Sequence, residues 1–140
     1  MQKAQLLAVA AATVVACSDA FSPTVQNVSG FYFADTFTTD SAGVSKDWVA
    51  VGATFGVVLN PDGSMHGRLM LPGVPPDTAT FTADLTGTWT LTGDTVRFTQ
   101  DADTFVRDVD WIASESHLSG DETFGSVRVR VVLKKVPGIQ

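Results

Sequence analysis

From residue 28 onward the chain alternates: apolar and polar side chains change places at every second position, and no window of a dozen residues carries the i, i+3, i+4, i+7 spacing of an amphipathic helix. Threonine, valine and phenylalanine dominate these stretches, and such residues fit a pleated, half-buried surface. A chain of this kind has to build sheet. The alternation predicts strands over Gly30–Thr39, Trp48–Leu59, Ser64–Leu71, Thr80–Thr86, Thr88–Thr92, Thr95–Gln100, Thr104–Ala113 and Ser126–Lys135, with a short one near His117–Ser119. Asn60-Pro61-Asp62-Gly63 suits a type I turn and Gly93-Asp94 a two-residue hairpin loop, so neighbouring strands run antiparallel. About eight sequential hairpin strands are most economically closed into an up-and-down barrel, because closure removes the sheet edges that invite aggregation. The expected fold class is therefore all-β, an antiparallel up-and-down barrel. A β-sandwich would show the same alternation without a central cavity and is the alternative.

The first seventeen residues are of another kind. Lys3 is followed by an apolar run from Ala4 to Ala16, interrupted only by Gln5 and Thr13, and the run ends at Val14-Val15-Ala16-Cys17. A membrane-crossing helix needs about 20 apolar residues for a hydrocarbon layer roughly 30 Å thick, and this run stops short of that at Ser18-Asp19. A basic start, a short apolar stretch and a small residue before a cysteine resemble the lipobox of bacterial lipoproteins. That resemblance implies cleavage before Cys17, acylation of its thiol and a lipid-anchored protein of the cell envelope. It divides the chain into a signal peptide (1–16), a lipidated cysteine and polar tether (17–27) and a barrel domain (28–140). An ordinary secretory signal cut at Ser18-Asp19-Ala20 is the alternative, and it would remove Cys17 with the leader.

Loss of residues 1–16 leaves 124 of the 140 residues, the size of one domain with one core. With Lys3 gone, eight of the nine basic side chains face fifteen acidic ones, a net charge of −7. An acidic surface without a basic cluster repels phosphate backbones, which argues against a nucleic-acid partner. Cys17 is the one cysteine, so no disulfide is available and packing has to carry the fold.

Two segments share a pattern, Val28-Ser29-Gly30-Phe31-Tyr32 and Leu85-Thr86-Gly87-Thr88-Trp89, each a glycine two residues before a large aromatic at a strand start. The second runs on as a hairpin, Thr90-Leu91-Thr92-Gly93-Asp94-Thr95-Val96-Arg97-Phe98. The pattern resembles the G-x-W opening of lipocalins and of the lipocalin-like barrels of bacterial lipoproteins, with Tyr32 in place of tryptophan in the first copy. The resemblance spans most of residues 28–135 and implies a barrel able to hold a small apolar or amphiphilic ligand. It also implies an arginine packed on the G-x-W aromatic at one end, a part open to Arg107 or Arg128.

Alternation places Val49, Val51, Ala53, Phe55, Val57 and Leu59 on one face of the second strand, and comparable stripes recur at Met65, Leu69 and Leu71, at Val96 and Phe98, and at Val127, Val129, Val131 and Leu133. A barrel of about eight strands is either filled by such side chains or just wide enough for one small ligand. Under the ligand reading the lining is expected from Phe31, Phe33, Phe55, Trp89, Phe98, Phe105 and Trp111. Arg107 interrupts the aromatic face of Phe105, Val109 and Trp111, and Asp35 shares a face with Phe31, Phe33 and Phe37. An inward guanidinium needs a counter-charge, so two readings stand: Arg107 lies near a strand end with its stem packed and its head in water, or Asp35 and Arg107 are the candidates for a buried polar pair that orients a ligand.

Chemistry-bearing patterns are sparse. His66 and His117 lack metal-ligand spacing, and Asp101, Asp103, Asp108 and Asp110 lack the remaining ligands and the glycine of a calcium loop. No G-x-S-x-G elbow or phosphate-cradling loop occurs, so the expectation is a non-enzyme without cofactor or metal. Its expected partners are the membrane, through Cys17, and a small apolar or amphiphilic ligand bound in the barrel, with an envelope protein as the alternative. In the latter reading a packed barrel presents Asp40–Asp47, Pro72–Thr78 and Asp101–Thr104 as contact loops.

Overall fold

The computed structural model describes residues 20–74 and 78–138. Cys17 and the expected signal peptide, 1–16, lie outside the described residues. The described residues form ten strands: β1 (Gly30–Ser41), β2 (Val44–Asp47), β3 (Thr54–Leu59), β4 (Ser64–Val74), β5 (Ala79–Asp84), β6 (Gly87–Thr92), β7 (Thr95–Gln100), β8 (Trp111–Ala113), β9 (His117–Phe124) and β10 (Val127–Lys135). A one-turn helix, α1 (Val25–Val28), precedes them, and a 3-10 turn (Phe105–Asp108) links β7 to β8. Every pairing is antiparallel, and β1, β3, β4, β6, β7, β8, β9 and β10 form a ring closed by β10 against β1. The predicted eight-stranded up-and-down barrel is thus present, with β2 and β5 as additions.

Those additions are halves of interrupted staves. Along β1, β3 pairs with Gly30–Phe33 and β2 with Thr38–Ser41, so β2 and β3 occupy one side of it in succession. Along β4, β6 pairs at Ser64 and Met65, while β5 pairs from Arg68 to Val74. The first interruption is residues 48–53, which turn instead of extending as the Val49, Val51, Ala53 alternation predicts. Asp47 accepts from the Ala50 amide at 3.2 Å and Gly52 takes a φ of 98°. As a result Val49 and Val51 are exposed, and Trp48 points inward.

Three further expectations are corrected. Residues 104–109 do not extend: the Thr104 hydroxyl accepts from the Val106 amide and caps the 3-10 turn, so only Trp111–Ala113 of that stretch is strand. The short strand near His117 runs on to Phe124, and its inward Gly120 leaves the room that the Trp111 ring occupies. Part of the polar tether is helix: Thr24 and Asn27 cap each other reciprocally, and Val28 is fully buried under the barrel.

The barrel has a base, where α1 and the turns after β3, β6 and β8 gather, and a rim, where the β1–β2 and β9–β10 turns meet the 3-10 turn. Tyr32, Leu59, Met65, Leu85, Trp89, Leu118 and Leu133 fill the lower interior. Phe37, Trp48, Phe55, Phe98, Val106 and Trp111 fill the upper part.

Candidate functional site

The interior is packed. Phe37 touches Phe55 and Phe105, Phe55 touches Phe105 and Trp111, and Phe98 stacks on Trp111, with ring centroids between 5.6 and 6.4 Å apart. The tilted and edge-on contacts are the geometries aromatic quadrupoles favour. Of the predicted ligand lining, Phe55, Trp89, Phe98 and Trp111 are buried in this core, and Phe105 closes the rim half-exposed. These side chains fill the space that a ligand would need.

Phe31 and Phe33 point the other way. The β1 register shifts between Ala34 and Thr36, a bulge that lets Tyr32, Ala34 and Phe37 all face inward although Tyr32 and Phe37 are an odd number apart. Phe31 and Phe33 are left on the outer wall, their rings 6.1 Å apart and laid over Gly56, whose missing side chain makes the seat for them. A groove of about 460 Å³ opens beside them, floored by Gly56 and Gly67 and bounded by Val58, His66 and the exposed Arg68–Asp84 pair at 3.3 Å. A second hollow, about 230 Å³, lies on the other side of Phe33 against Lys134, Lys135, Val136 and Pro137.

Of the two readings of Arg107, the candidate pair with Asp35 does not form and the head of Arg107 reaches the surface. Asp35 sits exposed at the bulge, and Arg107, on the 3-10 turn, reaches Asp103 at 2.8 Å in an exposed i, i+4 pair. Nor is the cation on the G-x-aromatic an arginine. Arg128 makes a two-pronged contact with Asp121 at 2.9 and 2.6 Å on the outside. At the base it is Lys135 that lies over the Tyr32 ring, 5.9 Å from its centroid, with Nζ donating to the Asn27 carbonyl at 2.7 Å. Burial lowers the Lys135 ammonium pKa below the ordinary lysine value. Burial also pushes the Tyr32 hydroxyl up to about 12, while that hydroxyl donates to the Val28 carbonyl at 2.6 Å. This base plug was missed by the sequence reading. Its available signal was Thr24-x-x-Asn27, the spacing of a reciprocal cap just ahead of an apolar residue.

Among the described residues no group of three or more His, Cys, Asp or Glu side chains is placed to hold a metal ion. Asp101, Asp103, Asp108 and Asp110 are all exposed, and Asp110 is taken up by Arg97 at 2.7 Å. His66 borders the outer groove, and His117 Nδ1 lies 3.0 Å from the Ser116 hydroxyl. No helix of the described residues is long and apolar enough to cross a membrane. At the rim, Val44, Val49 and Val51 are 68%, 37% and 50% exposed, and Lys46 stands 3.9 Å over the Trp48 ring beside them. Comparison with known proteins finds no matching family, no matching characterised protein and no matching solved structure.

Proposed function

We propose that this chain is a lipid-anchored envelope protein, acylated at Cys17, whose barrel is a non-catalytic interaction module that presents its rim to another envelope protein. The observation that carries this reading is the filled interior: four of the seven aromatic side chains expected to line a ligand cavity, Phe55, Phe98, Phe105 and Trp111, are in ring-to-ring contact with one another inside the barrel. Packed interiors leave almost no void, whereas small-molecule sites take roughly 300 Å³ or more of concave space. The exposed valines of the rim, with the Lys46–Trp48 contact beside them, supply an apolar surface of the sort that interfaces use. Anchorage rests on the leader ending in Cys17. Two long acyl chains are enough for stable attachment, because each buried methylene contributes about 0.8 kcal/mol.

Native mass spectrometry of the protein, before and after incubation with a mixture of fatty acids and phospholipids, tests the reading. The expected result is the mass of the polypeptide and its acyl groups alone, unchanged by the incubation. A stoichiometric extra mass that leaves on denaturation would overturn the packed module in favour of a carrier of small apolar or amphiphilic molecules.

A further inference from the structure

We infer that the lower outer wall of the barrel, centred on Phe31 and Phe33, lies against the lipid surface that holds the anchor, so that the barrel leans on this wall with its rim away from the membrane. The inference rests on the anchored reading of Cys17, and three independent observations on the barrel itself point the same way.

The first is where the chain leaves the fold. Phe21 packs against the core, and Ala20 and Phe21 lie in a hollow at the base shared with Asn27, Glu115 and Lys135. Only three residue steps separate Cys17 from Ala20, a reach of at most about 11 Å even when fully extended. An acylated Cys17 therefore holds the bilayer surface close to the base, while β1 alone carries the wall on for twelve residues toward the rim.

The second is the continuity of the wall. The hollow at Ala20 shares Lys135 with the hollow beside Phe33, which in turn shares Phe33 with the outer groove. A row of three hollows, parted by the shared side chains, thus follows one band from the exit point of the chain across β10, β1, β3 and β4. Phe33, on the outside, is 44% exposed at its centre, whereas Tyr32, Phe37, Phe55, Trp89, Phe98 and Trp111 are buried within the barrel. Aromatic side chains with lysines beside them are what a membrane interface accommodates, the ring among the headgroups and the ammonium reaching outward.

The third is charge. The whole chain carries a net −6, yet along this band Arg68, Lys134 and Lys135 balance Asp35, Asp84 and Glu115. The neutral side of an acidic protein is the side that approaches an anionic or zwitterionic surface with least repulsion.

The test uses the full chain, isolated in its acylated form and placed in vesicles of phosphatidylethanolamine and phosphatidylglycerol. Phe33→Cys and Val44→Cys each introduce one nitroxide site at an exposed position, with Pro137→Cys as a second wall site should Phe33→Cys fold poorly. Power saturation against oxygen and a water-soluble nickel complex reads the depth of each label. The wall label is expected to favour oxygen by several-fold relative to the rim label, which should be freely open to the nickel complex. Equal, water-like accessibility at both, with the protein still partitioning into detergent, overturns the wall contact and leaves the anchor standing. A protein whose detergent partition is unchanged by Cys17→Ser loses the anchor reading, and the wall contact falls with it.

Discussion

The two glycine-x-aromatic segments look alike in sequence and end alike in space, yet their glycines answer different demands. In each copy the aromatic turns inward at the base and its polar tip donates to a backbone carbonyl: Tyr32 to Val28 at 2.6 Å, Trp89 to Asn60 at 2.8 Å. Each aromatic thereby ties a strand start to the element beneath it, α1 in one case and the β3–β4 turn in the other. Gly30 is required by its backbone, with a φ of 142°, and by the Lys135 stem that crosses above it. Gly87 is required by backbone on the partner strand, since a side chain there would run into the Thr99 carbonyl and the Gln100 Cα. One pattern can therefore be kept by a flexible neighbour in one place and by an unyielding one in another.

The sharpest way to break the likeness is substitution of the two glycines. Gly87→Ala should cost about 3 kcal/mol or more, since the obstructing atoms are main chain and the β6–β7 ladder has to shift to make room. Gly30→Ala should cost about 1–2 kcal/mol, because the Lys135 stem can swing aside and only the strained φ remains. Urea unfolding midpoints, read at constant slope, report both values. Equal losses would mean that the two glycines meet the same constraint after all.

The aromatic tips sharpen the comparison in a second way. Tyr32→Phe leaves the buried Val28 carbonyl without the tyrosine donor. Trp89→Phe leaves the Asn60 carbonyl with the Gly63 amide at 3.0 Å and removes one of its two bonds together with part of a buried ring. Each should cost about 1–2 kcal/mol. Only Tyr32 titrates. Its hydroxyl pKa is raised from 10.0 to about 12 by burial, so the folded chain keeps a proton that the unfolded chain releases. Its contribution is complete below pH 10 and is lost as pH rises from 10 to about 12, on the order of 2 kcal/mol in all. Unfolding followed across that window should show the loss in the parent and in Trp89→Phe but not in Tyr32→Phe.

The smallest effect belongs to the outer surface, away from both copies. Asp40 is held below the usual carboxylate range chiefly by the Ser45 hydroxyl and then by Arg130, and Asp121 chiefly by Arg128. Lowered carboxylates contribute above their unfolded pKa and lose that contribution as pH falls through the folded one. These groups are solvent-exposed, so Asp121→Asn should barely alter the difference in unfolding midpoint between neutral and acid pH.

The barrel was legible because a two-residue period over this many segments has few other solutions, and the turns at Asn60-Pro61-Asp62-Gly63 and Gly93-Asp94 fall where expected. Its interruptions were not. Val49, Val51 and Ala53 carry the period of a strand, but Asp47 and Gly52 bend the chain there, and local capping overrides alternation. Phe31 and Phe33 were assigned inward because phenylalanine is the more apolar face of Phe31-Tyr32-Phe33. One extra residue at the bulge reverses that assignment, and a side-chain pattern alone does not count the residues on the opposing strand. Asp35 and Arg107 failed as a pair for the same reason: the bulge carries one outward and the Thr104 cap lifts the other to the rim.

The closure of β10 on β1 has a consequence in time as well as in space. Every other join of the ring is made by strands near one another along the chain, whereas Tyr32 lies opposite Lys135 and Ser41 opposite Val127. A join between the first and last strands bears the largest loop entropy and forms slowly. During synthesis the sheet can assemble hairpin by hairpin and yet stay an open ribbon with two bare edges until its final strand has emerged. The Lys135 contacts with Tyr32 and Asn27 are then the last to be made, so a chain stalled or cleaved before them would retain most of its hairpins and none of its protection from edge-to-edge association.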